Sequence, residues 1–167
     1  MTHRTLLPDL VIGGAPRSGT TFLAELLGKH PEVYMAKPLV PEPKICLREL
    51  PGGDASYGEA YARLFASAPH GAVLVEKTAN YFENEAARER LARVLPSANF
   101  VFVLREPVAR AYSNWKWSKK NGLETLSFSE AVALEGKRPN PLGPEREAAR
   151  PFDYMLRGRY GSFALTV

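Results

Sequence analysis

Val11 to Leu23, reading VIGGAPRSGTTFL, constrains this chain more than any other stretch. Leu10, Val11 and Ile12 make a short apolar run that suits a buried parallel strand. Gly13 and Gly14 then let the backbone turn without a Cβ penalty. Thr20 and Thr21 open a segment whose apolar residues, Phe22, Leu23, Leu26 and Leu27, recur as on a helix facing a sheet. Strand, glycine-bearing loop and helix N-terminus together form a cradle for an anion, because first-turn N–H groups and the helix dipole both point at the loop. Arg17 adds a planar, permanently charged fork. The plain alternative is a glycine turn with no ligand.

The loop resembles the phosphate loop GxxxxGK[ST], with Gly14 and Gly19 at the glycine positions and Thr21 at the hydroxyl position. Thr20 stands where the lysine should be, and the cation has moved inside the loop to Arg17. A nucleoside triphosphate with Mg²⁺ would lose its main contact to the γ-phosphate. A donor with a shorter, less charged tail would lose little.

A length of 167 residues suits a single domain spanning 1–167 with a real core. The apolar fraction of 45% and charged fraction of 24% are ordinary for a soluble globular protein. A net charge of +4 demands no general nucleic-acid surface, and a local anion site would account for it. Cys46 is the only cysteine, so no intramolecular disulfide can form and a structural role is expected. His3, His30 and His70 are scattered, and no metal-ligand cluster is visible. The N-terminus MTHRTLLPDLV is too short in apolar residues for a signal peptide or membrane anchor, which makes the cytoplasm the default and predicts no membrane partner.

Along the chain, strands are expected near Leu10–Gly13, Val33–Ala36, Val73–Val75 and Phe100–Leu104, the last reading as the clearest buried strand. Helices are expected over about Thr20–Gly28, Tyr57–Ala68, Asn84–Leu95, from Pro107, over Ser127–Leu134 and over Phe152–Arg157. Between Lys37 and Leu47, Pro38, Pro41 and Pro43 exclude a helix interior or central strand and predict a stiff surface loop. RPNPLGP, Arg138 to Pro144, reads as a loop or linker. Strands alternating with helices predict an α/β domain with a parallel sheet.

LREPVARAYSNW, Leu104 to Trp115, is the second informative constellation. Arg105 falls at the C-terminal end of a predicted central strand, where open α/β sheets bind ligands. Ser113 follows eight positions later on the helix that Pro107 starts, so both could grip a further anion, with Arg110 either adding to the field or simply solvated. Arg105 could equally pair with a carboxylate.

VIGGAPRSGTTFL resembles the 5′-phosphosulfate loop, and LREPVARAYSNW the 3′-phosphate motif, of sulfotransferases that use 3′-phosphoadenosine 5′-phosphosulfate (PAPS). HPEVYMAKPLVPEPK is similar to the catalytic loop of the carbohydrate- and protein-directed branch, and VEKTANYF to its Glu-Lys-Thr strand end. The likeness runs from Asp9 to about Tyr160 and implies a P-loop-like three-layer α/β fold, a central parallel sheet flanked by helices. It further implies that Arg17, Ser18, Gly19, Thr20 and Thr21 hold the 5′-phosphosulfate, and Arg105 and Ser113 the 3′-phosphate. Glu42 would be the base, Lys77 would act at the bridging oxygen of the leaving group, and Arg17 would share in catalysis. Glu76 competes with Glu42, although its place before Lys77 suggests that it orients that lysine.

The donor would be PAPS, with no metal, and the acceptor a hydroxyl or amine of a carbohydrate or small metabolite. The loop between Lys37 and Leu47 is longer than its counterpart in that branch, so the base assignment depends on where the insertion falls. The family continues past the point where this chain stops, which predicts an apolar edge near Phe163 and Leu165 and low stability or oligomerisation. An inactive, weakly nucleotide-binding remnant and a P-loop kinase of a small metabolite are the alternatives. Acceptor identity and oligomeric state stay open.

Overall fold

A computed structural model describes residues 6–164. The chain divides into two compact units, one ending at Val103 and the other starting at Leu104. The first holds a four-stranded sheet built from β1 (Leu10–Gly14), β2 (Val33–Met35), β3 (Val73–Lys77) and β4 (Asn99–Phe102). The strand order is β2-β3-β1-β4, and all neighbours are parallel. Three helices flank the sheet: α1 (Thr20–Leu27), α2 (Asp54–Leu64) and α3 (Glu85–Val94). This is the expected α/β arrangement with a central parallel sheet between helical layers.

Strand alternation decides what each face buries. Val11 and Leu74 join Tyr57, Tyr61 and Phe65 near α2 and Ala87 and Leu91 of α3 in one core. Ile12 and Val75 turn the other way, to Ala24 of α1 and Met35. Register pairs Val11 with Glu76 and Ile12 with Lys77, so these two polar residues also face opposite sides.

Several expectations change. β4 lies at the sheet edge and Phe100 is 36% exposed, so the segment read as the clearest buried strand is a half-covered one. Its run of Phe and Val matched a central strand, and neighbour order is not encoded in a run. α2 begins at Asp54, three residues before the expected start, because Gly53 turns the chain at φ 69° and Asp54 suits a helix N-terminus. Of the last expected helix, Phe152–Arg157, only Leu156 and Arg157 are helical, within a 3₁₀ turn over Leu156–Gly158, and α6 (Tyr160–Ala164) follows.

The second unit holds α4 (Pro107–Lys120), α5 (Phe128–Ala133) and α6. Ala111, Ala131 and Tyr154 form its core, with Trp115, Phe128 and Phe152 packed around them. Glu124 is buried there against Arg138, at 2.6 Å and 3.0 Å, and accepts from the Tyr154 hydroxyl at 2.6 Å. Burial opposes the charge on Glu124, but these donors and the Leu126 N–H outweigh it and hold the carboxyl down at about 2. No helix among the described residues is long and apolar enough to cross a membrane.

Candidate functional site

The glycine loop runs from the end of β1 into α1. Gly14 has to be glycine: a Cβ there would stand 2.4 Å from the Phe82 Cβ and 2.9 Å from the Ala79 carbonyl oxygen. That close approach also lets the Gly13 carbonyl accept from the Phe82 N–H at 2.8 Å. Gly19 sits at the N-cap of α1 in the left-handed region, φ 99°, where no side chain caps the first turn. The backbone ladder of α1 starts with the Leu23 N–H donating to the Gly19 carbonyl at 3.1 Å, and Gly19 has no side chain to cap the N–H groups before it. Arg17 lies exposed on the loop at φ 68°. The Ser18 Oγ is enclosed with no hydrogen-bond partner, and Thr20 is buried.

Thr21, Glu42 and Lys77 meet beside this loop. The Lys77 ammonium, only 2% exposed, lies 2.7 Å from the Glu42 Oε1 and donates to the Thr21 Oγ1 at 3.0 Å. The Ala79 N–H donates to the Glu42 Oε2 at 3.1 Å. The proline loop therefore brings Glu42 onto the end of β3, whatever the length of its insertion. Residues 42–46 are tied there twice more, with the Lys44 N–H donating to the Thr78 Oγ1 at 3.1 Å and the Cys46 N–H to the Tyr81 hydroxyl at 3.2 Å. Cys46 is fully buried, and burial pushes its thiol up to about 11, so it is an unreactive packing residue.

Glu76 does not orient Lys77. β3 alternation sends it to the opposite face, where it is wholly buried and accepts from the hydroxyls of Tyr61, Thr78 and Tyr81 at 2.9, 2.7 and 2.8 Å. Burial pushes its carboxyl up, against the pull of those three hydroxyls. Sequence reasoning missed this hub. Its signal was the Glu-x-Thr spacing, which puts residues 76 and 78 on one side of a strand and 77 on the other.

Arg105 and Ser113 belong to the second unit. Arg105 is exposed, and its backbone carbonyl accepts from the Tyr160 hydroxyl at 2.8 Å. Ser113 lies half-buried on the second turn of α4. Glu106 caps that helix, and the N–H groups of Val108 and Ala109 hold its carboxyl below the usual range. Arg110 is neither solvated nor part of a surface field: it is fully buried and donates to the Tyr154 carbonyl. Among the described residues no group of His, Cys, Asp or Glu could hold a metal ion.

The model of a family described as "Sulfotransferase family" matches residues 8–52. The bifunctional heparan sulfate N-deacetylase/N-sulfotransferase 1 of Caenorhabditis elegans is 37% identical over 108 residues, which cover 64% of this chain and 12% of the relative. Human heparan sulfate glucosamine 3-O-sulfotransferase 3B1 is 31% identical over 132 residues, covering 76% of this chain and 32% of the relative. The crystal structure of a sulfotransferase from Alicyclobacillus acidocaldarius superposes with a TM-score of 0.77 at 25% identity, over 96% of this chain and 67% of that one. The chain thus spans less than a third of the length of these curated relatives.

Proposed function

This chain belongs to the sulfotransferase family, and we propose that it transfers the sulfuryl group of PAPS to a hydroxyl or amine of a carbohydrate or small metabolite. The observation that carries the reading is the Glu42–Lys77–Thr21 chain of contacts against the glycine loop. It joins a carboxylate, an ammonium and an anion cradle in one place. The names of the relatives support the acceptor class, since one is an N-sulfotransferase of heparan sulfate and the other a glucosamine 3-O-sulfotransferase of heparan sulfate.

The loop fits a phosphosulfate. Its uncapped helix start and the enclosed, unpartnered Ser18 Oγ are donors in want of an acceptor. Arg17, Ser18, Gly19, Thr20 and Thr21 would hold the 5′-phosphosulfate, and Arg105 and Ser113 the 3′-phosphate. When bound, PAPS supplies the sulfuryl group and a bisphosphate leaving group. Lys77 concentrates positive charge in a nearly dry setting, where it is worth more than in water to an oxygen gaining negative charge. Arg17 adds to that charge at the loop. Glu42 is braced through both oxygens, by Lys77 and by the Ala79 N–H, and each oxygen keeps a further lone pair. Held in this way, it can take the proton of an acceptor O–H or N–H as the group attacks. Glu76, wholly buried and occupied by three hydroxyls, has no such access.

Calorimetric titration tests the reading. 3′-Phosphoadenosine 5′-phosphate should bind more tightly than ATP–Mg²⁺, and release of that bisphosphate from PAPS should speed up when hydroxyl or amino sugars are added. Tighter binding of ATP–Mg²⁺, with phosphoryl transfer to the same sugars, would overturn it in favour of a kinase.

A further inference from the structure

Glu76 is a fully buried acid that takes no part in the chemistry described above. Its contacts have a polarity. The Thr78 and Tyr81 hydroxyls both lie on the Glu76 Oε1, at 2.7 Å and 2.8 Å. The same two hydroxyl oxygens receive the Lys44 and Cys46 N–H groups, at 3.1 Å and 3.2 Å. A backbone N–H can only donate, so each hydroxyl must accept there and has one proton left to give, which only an acceptor can receive. The Glu76 Oε1 is that acceptor. Remove it and two buried hydroxyls either lose a partner or turn away from the loop amides.

We propose that Glu76 is a positioning residue: through Thr78 and Tyr81 it pins Lys44 and Cys46, and so holds the loop bearing Glu42 against Lys77. The role rests on the reading of Glu42 as the base. It accounts for the sequence Glu-Lys-Thr in one strand end: residue 77 faces α1 and the anion loop, while 76 and 78 face the interior and hold the loop from behind. The relay needs an acceptor at Oε1 and does not need the charge. Protonated at Oε2, the acid would donate to the Tyr61 hydroxyl, which lies 2.9 Å away and can pass its own proton to the Cys46 sulfur at 3.6 Å. Glutamine can reproduce that state, with its oxygen toward Thr78 and Tyr81 and its nitrogen toward Tyr61. Leucine cannot.

Amide hydrogen exchange of residues 44–46 in the full chain is the test, alongside turnover and binding of 3′-phosphoadenosine 5′-phosphate. Thr78→Val, Tyr81→Phe and Glu76→Leu should each speed exchange at 44–46 by roughly tenfold or more, the scale of one ordinary hydrogen bond. Amides of β1 and β3 serve as the control for global unfolding, and Thr78→Val should leave them unchanged. Glu76→Gln should stay within about threefold of the unsubstituted protein at 44–46, since it keeps the acceptor. In turnover, Thr78→Val and Tyr81→Phe should lower kcat with the bisphosphate Kd unmoved, and Glu76→Gln should rescue the loss seen with Glu76→Leu. Unchanged exchange at 44–46 in Thr78→Val and Tyr81→Phe would overturn the relay. So would a Glu76→Gln protein as unprotected there as Glu76→Leu. If the exchange pattern holds but no variant turns over PAPS, the relay stands and the sulfotransferase reading falls.

Discussion

Glu42 touches both an ammonium and a backbone N–H, and the two contacts fix where its carboxylate lies. Glu42→Gln keeps an oxygen for one of those donors but cannot take a proton. It should lower kcat by roughly 10²–10⁴-fold, the usual loss for a general base, with nucleotide affinity nearly unchanged. Full turnover in that variant would reassign the base. Arg105→Ala should remove the preference for 3′-phosphoadenosine 5′-phosphate over adenosine 5′-monophosphate while sparing the monophosphate's affinity, as read by calorimetry. Equal affinities in the unsubstituted protein would deny Arg105 a ligand role. Gly14→Ala tests the packing of the loop itself: its Cβ would meet the Phe82 Cβ and a carbonyl well inside contact distance. Overpacking of this kind costs about 1–3 kcal/mol, measurable by chemical denaturation.

Among the elements, β3 carries the most information per residue. Its alternation separates a buried hub at Glu76 from a site lysine at Lys77, and both reach the proline loop, Glu76 through Thr78 and Tyr81, Lys77 through Glu42. α3 follows from it and is held at its start by Asn84, whose side chain accepts from the Ala87 N–H at 2.8 Å. Asn84→Ala should cost about 1 kcal/mol of stability, the usual worth of such a cap. A change within error in denaturation midpoint would show that packing of Ala87 and Leu91 alone sets that end. In the second unit, α4 depends on its buried polar face: Asn114 and Ser118 both donate to the Pro151 carbonyl, at 3.0 Å and 2.7 Å, and Arg157 donates to Asn114 at 3.4 Å.

For the molecule as a whole, two buried carboxylates give stability opposite dependences on pH. Glu124 has its folded value held at about 2, below the ordinary 4.5. It contributes stability in full above that ordinary value, and the contribution drains away as pH falls toward 2. Glu76 has its folded value pushed up from 4.5, so the folded state favours its protonated form. Its cost is therefore absent below the ordinary value and grows as pH rises through the raised one. Urea denaturation across pH should show both slopes. Glu124→Gln should flatten the acid limb, and Glu76→Gln should flatten the decline above 4.5. Limbs unaltered by these substitutions would assign the pH dependence to other groups. Of the segment expected to expose an apolar edge, Phe163 is half-buried, and Leu165 lies outside the described residues.

The sequence alone determined the alternation of strand and helix, the glycine loop, and the residues grouped around it. Each of these is local chemistry: a glycine where a turn is tight, a proline at a helix start, a period of two or 3.6. It also placed Glu42 and Lys77 among the candidates, 35 positions apart, as an inference from likeness to a family. Only the tertiary structure decided that they touch, because parallel register and the path of the proline loop are set by packing between distant segments. The same holds where the expectations were wrong. Glu76 and Lys77 are neighbours in sequence, yet the pleat sends them to different faces. β4 reads as central and lies at the edge, because strand order follows from which face each helix covers. Arg110 reads as solvent-facing and is buried, because the carbonyl that receives it is 44 residues away.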